Sequence, residues 1–456
     1  MLVKNQDISL TCERLGAEME GICRYEGQAV FVAGALPGES FAAKVVQVRP
    51  QYAFAKLMKL TAPSMDRRDP FCPAYVQCGG CSCQHMSYAA TLSAKRSQVY
   101  DCLTRIGGLA LSETDVPAII GADKPTHCRN KTSLPVGGTA THPLLGFFKR
   151  RSHDIVDISD CPVSMGTLAP VIAAVKGWML EAGVEPYNEE NHHGLLRHVI
   201  VRTVRGGDVL ILLVATSASL PEVPKLVQRL QNTVPGFVAL HVSENQMNNN
   251  VILGKTCKKL YGVDAIFETI LGLNFEISPL SFFQVNPAQT ERLYQHAIDF
   301  AALTSGDTVV DAYAGAGTIS LCMAKKCKRV IGLEIVPQAV ESARQNASRN
   351  GIGNVEFITA SVEEKLPELV EQGLRPDVVV LDPPRKGVEP QVIEAILKAA
   401  PRRVVYVSCH VPTQARDVAL LIAGGYRFVG CQPVDLFCYA SGVENVLVLE
   451  RTLELQ

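Results

Sequence analysis

The chain has 456 residues, 47% hydrophobic and 20% charged, with 44 basic against 45 acidic residues and a formal net charge of −1. That composition excludes a disordered or collagen-like chain and a polycation running its whole length, so any polyanion-binding surface has to be local. At roughly 150 residues per domain the length allows about three domains.

The start, Met-Leu-Val-Lys-Asn-Gln-Asp, has no signal-peptide core, and the longest aliphatic runs, such as Val209 to Ala215, fall far short of a membrane span. The expectation is a cytoplasmic protein with no membrane partner. Residues 1–62 alternate short apolar runs (Val30 to Val32, Phe41 to Val48, Tyr52 to Leu57) with turn signals at Glu26-Gly27, Gly34 and Leu36-Pro37-Gly38-Glu39. So short an all-β unit packs naturally as a small OB-type barrel. Through Gly27 to Glu39 the segment resembles a TRAM domain, which implies RNA binding.

Residues 63–274 begin with a cysteine-rich stretch. Of the 15 cysteines, four lie between Cys72 and Cys83. In a reducing compartment such cysteines read as metal ligands, a nucleophile or buried small residues, not as disulfides. Cys72, Cys78 and Cys81 have the spacing C-x5-C-x2-C, with Gly79-Gly80 letting backbone wrap closely round an inorganic centre. Cys161, in Ser159-Asp160-Cys161-Pro162, is the best fourth thiolate; Cys83 could substitute, but one intervening residue makes it awkward beside Cys81. The five-residue gap favours an iron–sulfur cluster over zinc, whose paired ligands usually stand two to four apart.

Ser87 to Ile106 reads as a helix capped by Ser87 and stopped by Gly107-Gly108. Lys124 to Arg151 carries Lys124, Arg129, Lys131, Lys149, Arg150 and Arg151 with no acidic residue, interleaved with Phe147 and Phe148, a local footprint for a polyanion. From Leu195 to Leu273 the pattern is mainly strands, with Arg205-Gly206-Gly207 a hairpin between His198 to Val204 and Asp208 to Ala215.

Residues 275–456 alternate strand-like and helix-like runs, the pattern of a doubly wound α/β domain. Thr308 to Thr318 is a strand, a glycine turn (Gly315, Gly317) and a helix start; Val330 to Glu334 is the next strand, ending in an acid. In dinucleotide-type folds an acid about 20 residues beyond the glycine turn holds ribose hydroxyls. Those glycines alone would also serve a nicotinamide cofactor. Asp377 to Arg385 shifts the balance, because a strand ending in Asp382-Pro383-Pro384 sets a carboxylate on a stiff loop, as in methyltransferases. Val404 to Val407 is a further buried strand, stopping at Ser408-Cys409 and followed by a loop containing Pro412. It places a thiol at the carboxyl edge of the sheet, where ligands of open α/β folds sit.

Several stretches together resemble the class I S-adenosylmethionine-dependent RNA uracil-C5 methyltransferases: Ser281 to Pro287, Asp311 to Thr318, Leu381 to Gly387, Ser408-Cys409, and Pro433 to Phe437 followed by Val443-Glu444. The barrel and the Cys72/Cys78/Cys81/Cys161 set match the same family, so the resemblance covers nearly the whole chain. It implies a Rossmann-like catalytic domain behind an N-terminal barrel and a β-rich central RNA-binding region, with the Ser87–Ile106 helix packed on the catalytic domain. It further implies cofactor contacts from Gln284, Tyr313, Glu334 and Asp382, with Cys409 as nucleophile and Glu444 as base. The four cysteines become ligands of a [4Fe-4S] cluster, and the protein a monomer acting on RNA, 23S rRNA first and tRNA second. Two departures stand out. The family usually has Asn or Asp and then Pro directly after the nucleophile, where this chain has His410-Val411-Pro412. It also has His shortly before the base, where this chain has Ser441-Gly442-Val443, and Cys438 stands where Pro is common.

Uracil C5 is a weak nucleophile until a thiolate adds to C6, which is the reason a cysteine is needed; a carboxylate then removes the C5 proton. The rival enzymatic reading, transfer to an exocyclic nitrogen, needs no cysteine and favours an aromatic residue where Arg385 stands. The non-enzymatic rival is an RNA-binding scaffold with a degenerate fold.

Overall fold

The computed structural model describes residues 2–166 and 168–452. Five strands, Asp7–Leu15, Gly21–Tyr25, Gln28–Ala33, Ser40–Val48 and Tyr52–Ala62, close into a barrel. Every second residue of Asp7–Leu15 up to Cys12 is buried, the period-two pattern of a strand with one face in the core. Ile8, Leu10, Cys12, Val30, Val32, Phe41 and Val45 fill the inside. On the outside Phe31, Tyr52 and Phe54 meet with ring centroids 5.6 Å apart.

A seven-stranded sheet follows, in the order Cys257–Gly262, Phe237–Glu244, Val209–Ala215, Leu196–Thr203, Lys131–Thr139, His142–Phe148, Ile155–Asp157. This region is not strands alone. The helices Leu168–Ala182 and Val223–Thr233 cover one face through residues such as Trp178, Leu226 and Leu230. The opposite face, with Ile200, Leu210, Leu212 and Val214, merges into the core of the C-terminal domain. Val209–Ala215 is therefore buried on both sides, which explains a continuous aliphatic run too short for a membrane. Among the described residues no helix is long and apolar enough to cross a bilayer.

The C-terminal sheet has the order Val355–Thr359, Arg329–Glu334, Thr308–Asp311, Val378–Leu381, Arg403–Ser408, Glu444–Arg451, Tyr426–Val434. Its first five strands are parallel, and Glu444–Arg451 enters antiparallel to Arg403–Ser408. Helices pack on both faces, as a parallel sheet requires. The strand order reverses between Thr308–Asp311 and Val378–Leu381, and that switch point opens the crevice in which ligands of such sheets bind. The helix Tyr88–Asp101, capped by Ser87 Oγ accepting from the Ala90 amide at 3.1 Å, widens into a π turn at Cys102–Ile106. Val99 and Leu103 on it share a core with Val379, Val404 and Tyr406 of the C-terminal sheet.

Candidate active site

The crevice is built from the carboxyl ends of four parallel strands and the amino end of the antiparallel one. Gly317 sits at φ +78°, and a Cβ there would meet the Phe357 ring at 2.7 Å, so only glycine lets this turn close on the sheet. The Gly315 amide donates to Glu334 Oε2 at 3.0 Å and the Val336 amide to Oε1 at 2.8 Å. Glu334 is thereby pinned at the end of its strand, at the mouth of the glycine turn. Tyr313 lies on the same turn with its hydroxyl buried and without a partner among the described residues.

Asp311 is buried; Ser320 Oγ donates to its Oδ2 at 2.5 Å while Oδ1 has no partner among the described residues. Burial pushes its carboxyl up to about 6 against the pull of Ser320. Asp382 follows the neighbouring strand, and burial, then the charge of Asp311, pushes it up to about 7. Gln284 is 9% exposed, and its loop is tied to the central sheet: the Asn130 side-chain amide donates to the Gln284 carbonyl at 3.0 Å, and the Asn130 backbone amide to Val285 at 2.8 Å.

Cys409 and Glu444 are brought together by strand pairing. Ser408 is in register with Asn445 across the antiparallel pair. Cys409, one residue after Ser408, and Glu444, one residue before Asn445, therefore stand on adjacent strand ends at the same edge. Gln414 locks this junction, donating to the carbonyls of Tyr406 at 2.9 Å and Asn445 at 3.1 Å while accepting from the Asn445 side chain at 2.8 Å. Burial, then the charge of Glu444, raises the Cys409 thiol, and the Arg385 guanidinium opposes both. Glu444 is 2% exposed with Oε2 unpartnered among the described residues, and burial, reinforced by Asp382, holds its carboxyl well above the usual range. The segment after Cys409 is not a loop. A helix, Val411–Ala423, starts at once with Pro412 in its first turn, where a missing amide costs nothing. Sequence reasoning left out Asp311, Arg385 and Gln414 as site residues. Arg385 carried a signal, as the residue directly after Asp-Pro-Pro; Gln414 carried none.

Orphaned polar atoms on Asp311, Tyr313 and Glu444, together with a cluster of carboxyls that resist ionising side by side, fit a cationic ligand with hydroxyl and amine groups. S-adenosylmethionine has that character.

Cys72, Cys78, Cys81 and Cys161 line one cavity with Arg129, Phe147 and Ile158. The Gly80 amide donates to Cys78 Sγ at 3.3 Å, and Arg129 Nε is buried without a partner among the described residues. Burial raises the thiols of Cys78 and Cys161, and that of Cys81 to about 11. Four thiols, an amide aimed at sulfur and a guanidinium with its Nε buried suit an anionic thiolate centre. Among the described residues no three His, Cys, Asp or Glu side chains converge closely enough to hold a single metal ion. The basic stretch divides in two. Arg129 faces this cavity, and Lys131, half-buried opposite Arg202, is pushed down to about 8 by burial and then by that neighbour. Lys149, Arg150 and Arg151 form an exposed turn, with Arg150 over Tyr75 and Arg151 over Phe54 of the barrel at 5.4 Å.

Comparison with known proteins agrees with this architecture. Residues 271–452 match the family described as tRNA (Uracil-5-)-methyltransferase, and residues 4–58 match the TRAM domain. A Clostridium tetani protein named as an RNA methyltransferase is 41% identical over 447 residues, covering 98% of this chain and 96% of that one. A Halalkalibacterium halodurans protein of the same description is 42% identical over 448 residues, covering 98% and 97%. The chain belongs to this RNA methyltransferase family. The fold is likewise that of the solved Pyrococcus abyssi tRNA (uracil-54, C5)-methyltransferase in complex with S-adenosyl-L-homocysteine, with a TM-score of 0.77 and 25% identity, covering 97% of this chain and 100% of that one. The methyltransferase is S-adenosylmethionine-dependent, with a catalytic domain of the uracil-5 type and a TRAM barrel in front of it.

Proposed function

We propose that the enzyme methylates C5 of a specific uridine in RNA, 23S rRNA before tRNA, through a covalent Cys409–C6 adduct. The carrying observation is the register that sets Cys409 and Glu444 on adjacent strand ends, beside Asp382 and Arg385. S-adenosylmethionine supplies an electrophilic methyl group; Glu334, Tyr313, Gln284 and Asp382 are the residues that would hold it.

The Cys409 thiolate adds to C6 of the flipped or unpaired uracil, which moves electron density to C5. Arg385 is the counter-charge that favours this thiolate against the burial opposing it. C5 would then form its bond to the methyl carbon as the S–CH3 bond breaks, the electron pair staying on sulfur and the neutral thioether S-adenosylhomocysteine leaving. Glu444 removes the remaining C5 proton; the electrons of that C–H bond form the C5–C6 double bond as the C6–S bond breaks and the thiolate returns. A carboxyl held well above its usual range is a strong proton acceptor once ionised, and a sulfonium nearby favours that ionisation.

Cys72, Cys78, Cys81 and Cys161 are assigned to a [4Fe-4S] cluster, whose irons each take one thiolate, so the sulfurs need not converge on one ion. 23S rRNA is favoured by the combination of the barrel with this cysteine set. The exposed turn Lys149–Arg151, seated against the barrel's aromatic face, gives RNA a continuous basic and aromatic track.

The test is a pair of variants. Cys409→Ala should bind RNA and cofactor yet form no covalent species. Glu444→Gln keeps shape but cannot take the proton, so methylated protein–RNA adduct should accumulate as a slow band on a denaturing gel. Since a positioned base contributes about 10²- to 10⁴-fold, the band should persist; normal turnover by Glu444→Gln would overturn the assignment. Mapping 5-methyluridine in 23S rRNA and tRNA from cells with and without the gene identifies the target.

A further inference from the structure

The segment Asp435–Val443 joins the strand Tyr426–Val434 to the strand that begins with Glu444, so its shape acts, beside the strand pairing, on how that carboxylate is presented. Tyr439, in its middle, has φ +60°, a left-handed conformation disfavoured for a bulky residue. Such a conformation persists only where the surroundings hold it. Here the Ser82 and Cys83 amides both donate to the Tyr439 carbonyl, at 2.7 and 3.0 Å. Its ring is flanked by Phe71, edge-on at 5.0 Å, and by Tyr88 at 5.7 Å. The start of the segment is held from the same side: Lys95 Nζ donates to Asp435 Oδ1 at 2.5 Å and to the Phe437 carbonyl at 3.0 Å, and Tyr88 Oη donates to Asp435 Oδ2 at 2.7 Å.

Every one of these holding groups lies in the cysteine-rich segment or in the helix that follows it. Ser82 and Cys83 directly follow Cys81, which lines the four-cysteine cavity. The Cys81 carbonyl in turn accepts from Arg150 Nη2 of the exposed basic turn at 2.5 Å.

We propose that the cysteine-rich segment is the positioning element of the catalytic base, with Tyr439 the residue through which it holds the Glu444 loop. A backbone carbonyl taking two consecutive amides fixes direction as well as distance; those amides follow directly on Cys81, with Tyr75 Oη donating to the Ser82 carbonyl at 2.8 Å and Cys83 buried beside Met86. An intact cysteine site thus sets the base, and its loss releases Tyr439 from a conformation it does not prefer. The inference rests on Glu444 being the proton acceptor. It assigns Tyr439 no bond-making role.

The consequence is selective. Cys409 is set by Arg403–Ser408 and Gln414, outside this clamp, so addition and methyl transfer should survive when proton removal does not. The experiment uses the full-length protein, S-adenosylmethionine and an unmodified 23S rRNA transcript under single-turnover conditions. Methyl transfer and decay of the covalent adduct are followed separately in wild type, Tyr439→Gly, Tyr439→Phe, Cys161→Ser and Glu444→Gln. Hydrogen exchange of residues 435–444 is measured without RNA. Misplacement of a catalytic group by about 1 Å costs about 10²-fold. Tyr439→Gly and Cys161→Ser should therefore slow adduct decay by about 10- to 100-fold, with methyl transfer within about threefold of wild type and faster exchange across 435–444. Tyr439→Phe, which keeps the ring between Phe71 and Tyr88 that Tyr439→Gly removes while the backbone carbonyl is common to all, should restore both. If Glu444→Gln accumulates adduct while Tyr439→Gly and Cys161→Ser clear it at the wild-type rate, the positioning proposal fails and the base assignment stands. If methyl transfer and decay fall in parallel, the segment has only a general structural role and the proposal also fails. If Glu444→Gln accumulates no adduct, the base assignment itself falls, and the positioning proposal with it.

Discussion

Replacing Lys95 by Met tests how the buried ion pair works. Lys95 and Asp435 are both 0% exposed and lie 2.5 Å apart. At an effective dielectric of about 20, two unit charges at that separation attract by about 7 kcal/mol. Removing each from water costs several kcal/mol, so the intact pair contributes little net. Among the described residues Lys95→Met leaves the buried Asp435 carboxylate with the Tyr88 hydroxyl as its one side-chain donor and removes the donor to the Phe437 carbonyl, which should cost about 3–5 kcal/mol. The double variant Lys95→Met/Asp435→Leu removes the stranded charge as well. It should recover about 2–3 kcal/mol relative to the sum of the two single changes, the signature of coupled neighbours. The assay is native-state hydrogen exchange of the strand Glu444–Arg451, which reports the opening free energy of this unit. It is preferable to a melting midpoint because a chain with several domains need not unfold in one step. Two single variants each costing under about 1 kcal/mol, or strictly additive effects, would refute the reasoning.

Asp382, proposed above as a cofactor contact and pushed up to about 7 by burial and the charge of Asp311, should make cofactor affinity pH-dependent. A raised carboxyl favours the folded state most below the ordinary carboxylate range, and that contribution is lost as pH rises through about 7. A bound sulfonium pairs with the ionised form, so S-adenosylmethionine affinity should rise between pH 6 and 8, by up to about tenfold per unit. By calorimetry, the neutral thioether S-adenosylhomocysteine and the variant Asp382→Asn should each show a flatter profile; an equal slope in all three would refute the assignment. Anaerobically purified protein should be brown and contain iron and acid-labile sulfide, both lost in Cys161→Ser, whereas stoichiometric zinc without sulfide would overturn the cluster. Removing the exposed Arg150 and Arg151 charges together should weaken RNA binding and reduce the slope of log affinity against log salt by about 1.4, since each phosphate neutralised on a single strand adds about 0.7 to that slope; an unchanged slope would place the RNA elsewhere.

What could be read directly from the chain was local. The barrel's alternation, the glycine turn after Thr308–Asp311, the stiff Asp382-Pro383-Pro384 end and the strand running into Cys409 are written in neighbouring residues, because strand period and the restrictions on Gly and Pro act over a few positions. The helix beginning at Val411 was obscured by Pro412, which ends strands but is equally at home in a helix's first turn. Other features exist only in three dimensions. The basic stretch looked uniform along the chain, yet the fold turns Arg129 to the cysteine cavity, half-buries Lys131 opposite Arg202 and leaves Lys149 to Arg151 on an exposed turn. Cys409 and Glu444 stand on adjacent strand ends because Glu444–Arg451 enters the sheet antiparallel, a consequence of strand order that no local pattern specifies. Lys95 and Asp435, 340 positions apart, have no reason to be paired until a helix near the start of the chain packs against the last strands. The amides that hold Tyr439 are backbone groups, common to nearly every residue, so only the folded chain could select them. Residue types and short spacings therefore determined the chemistry available to this protein. Register, burial and long-range packing decided which of those groups meet, because the free energy that brings them together comes from a core shared by distant segments.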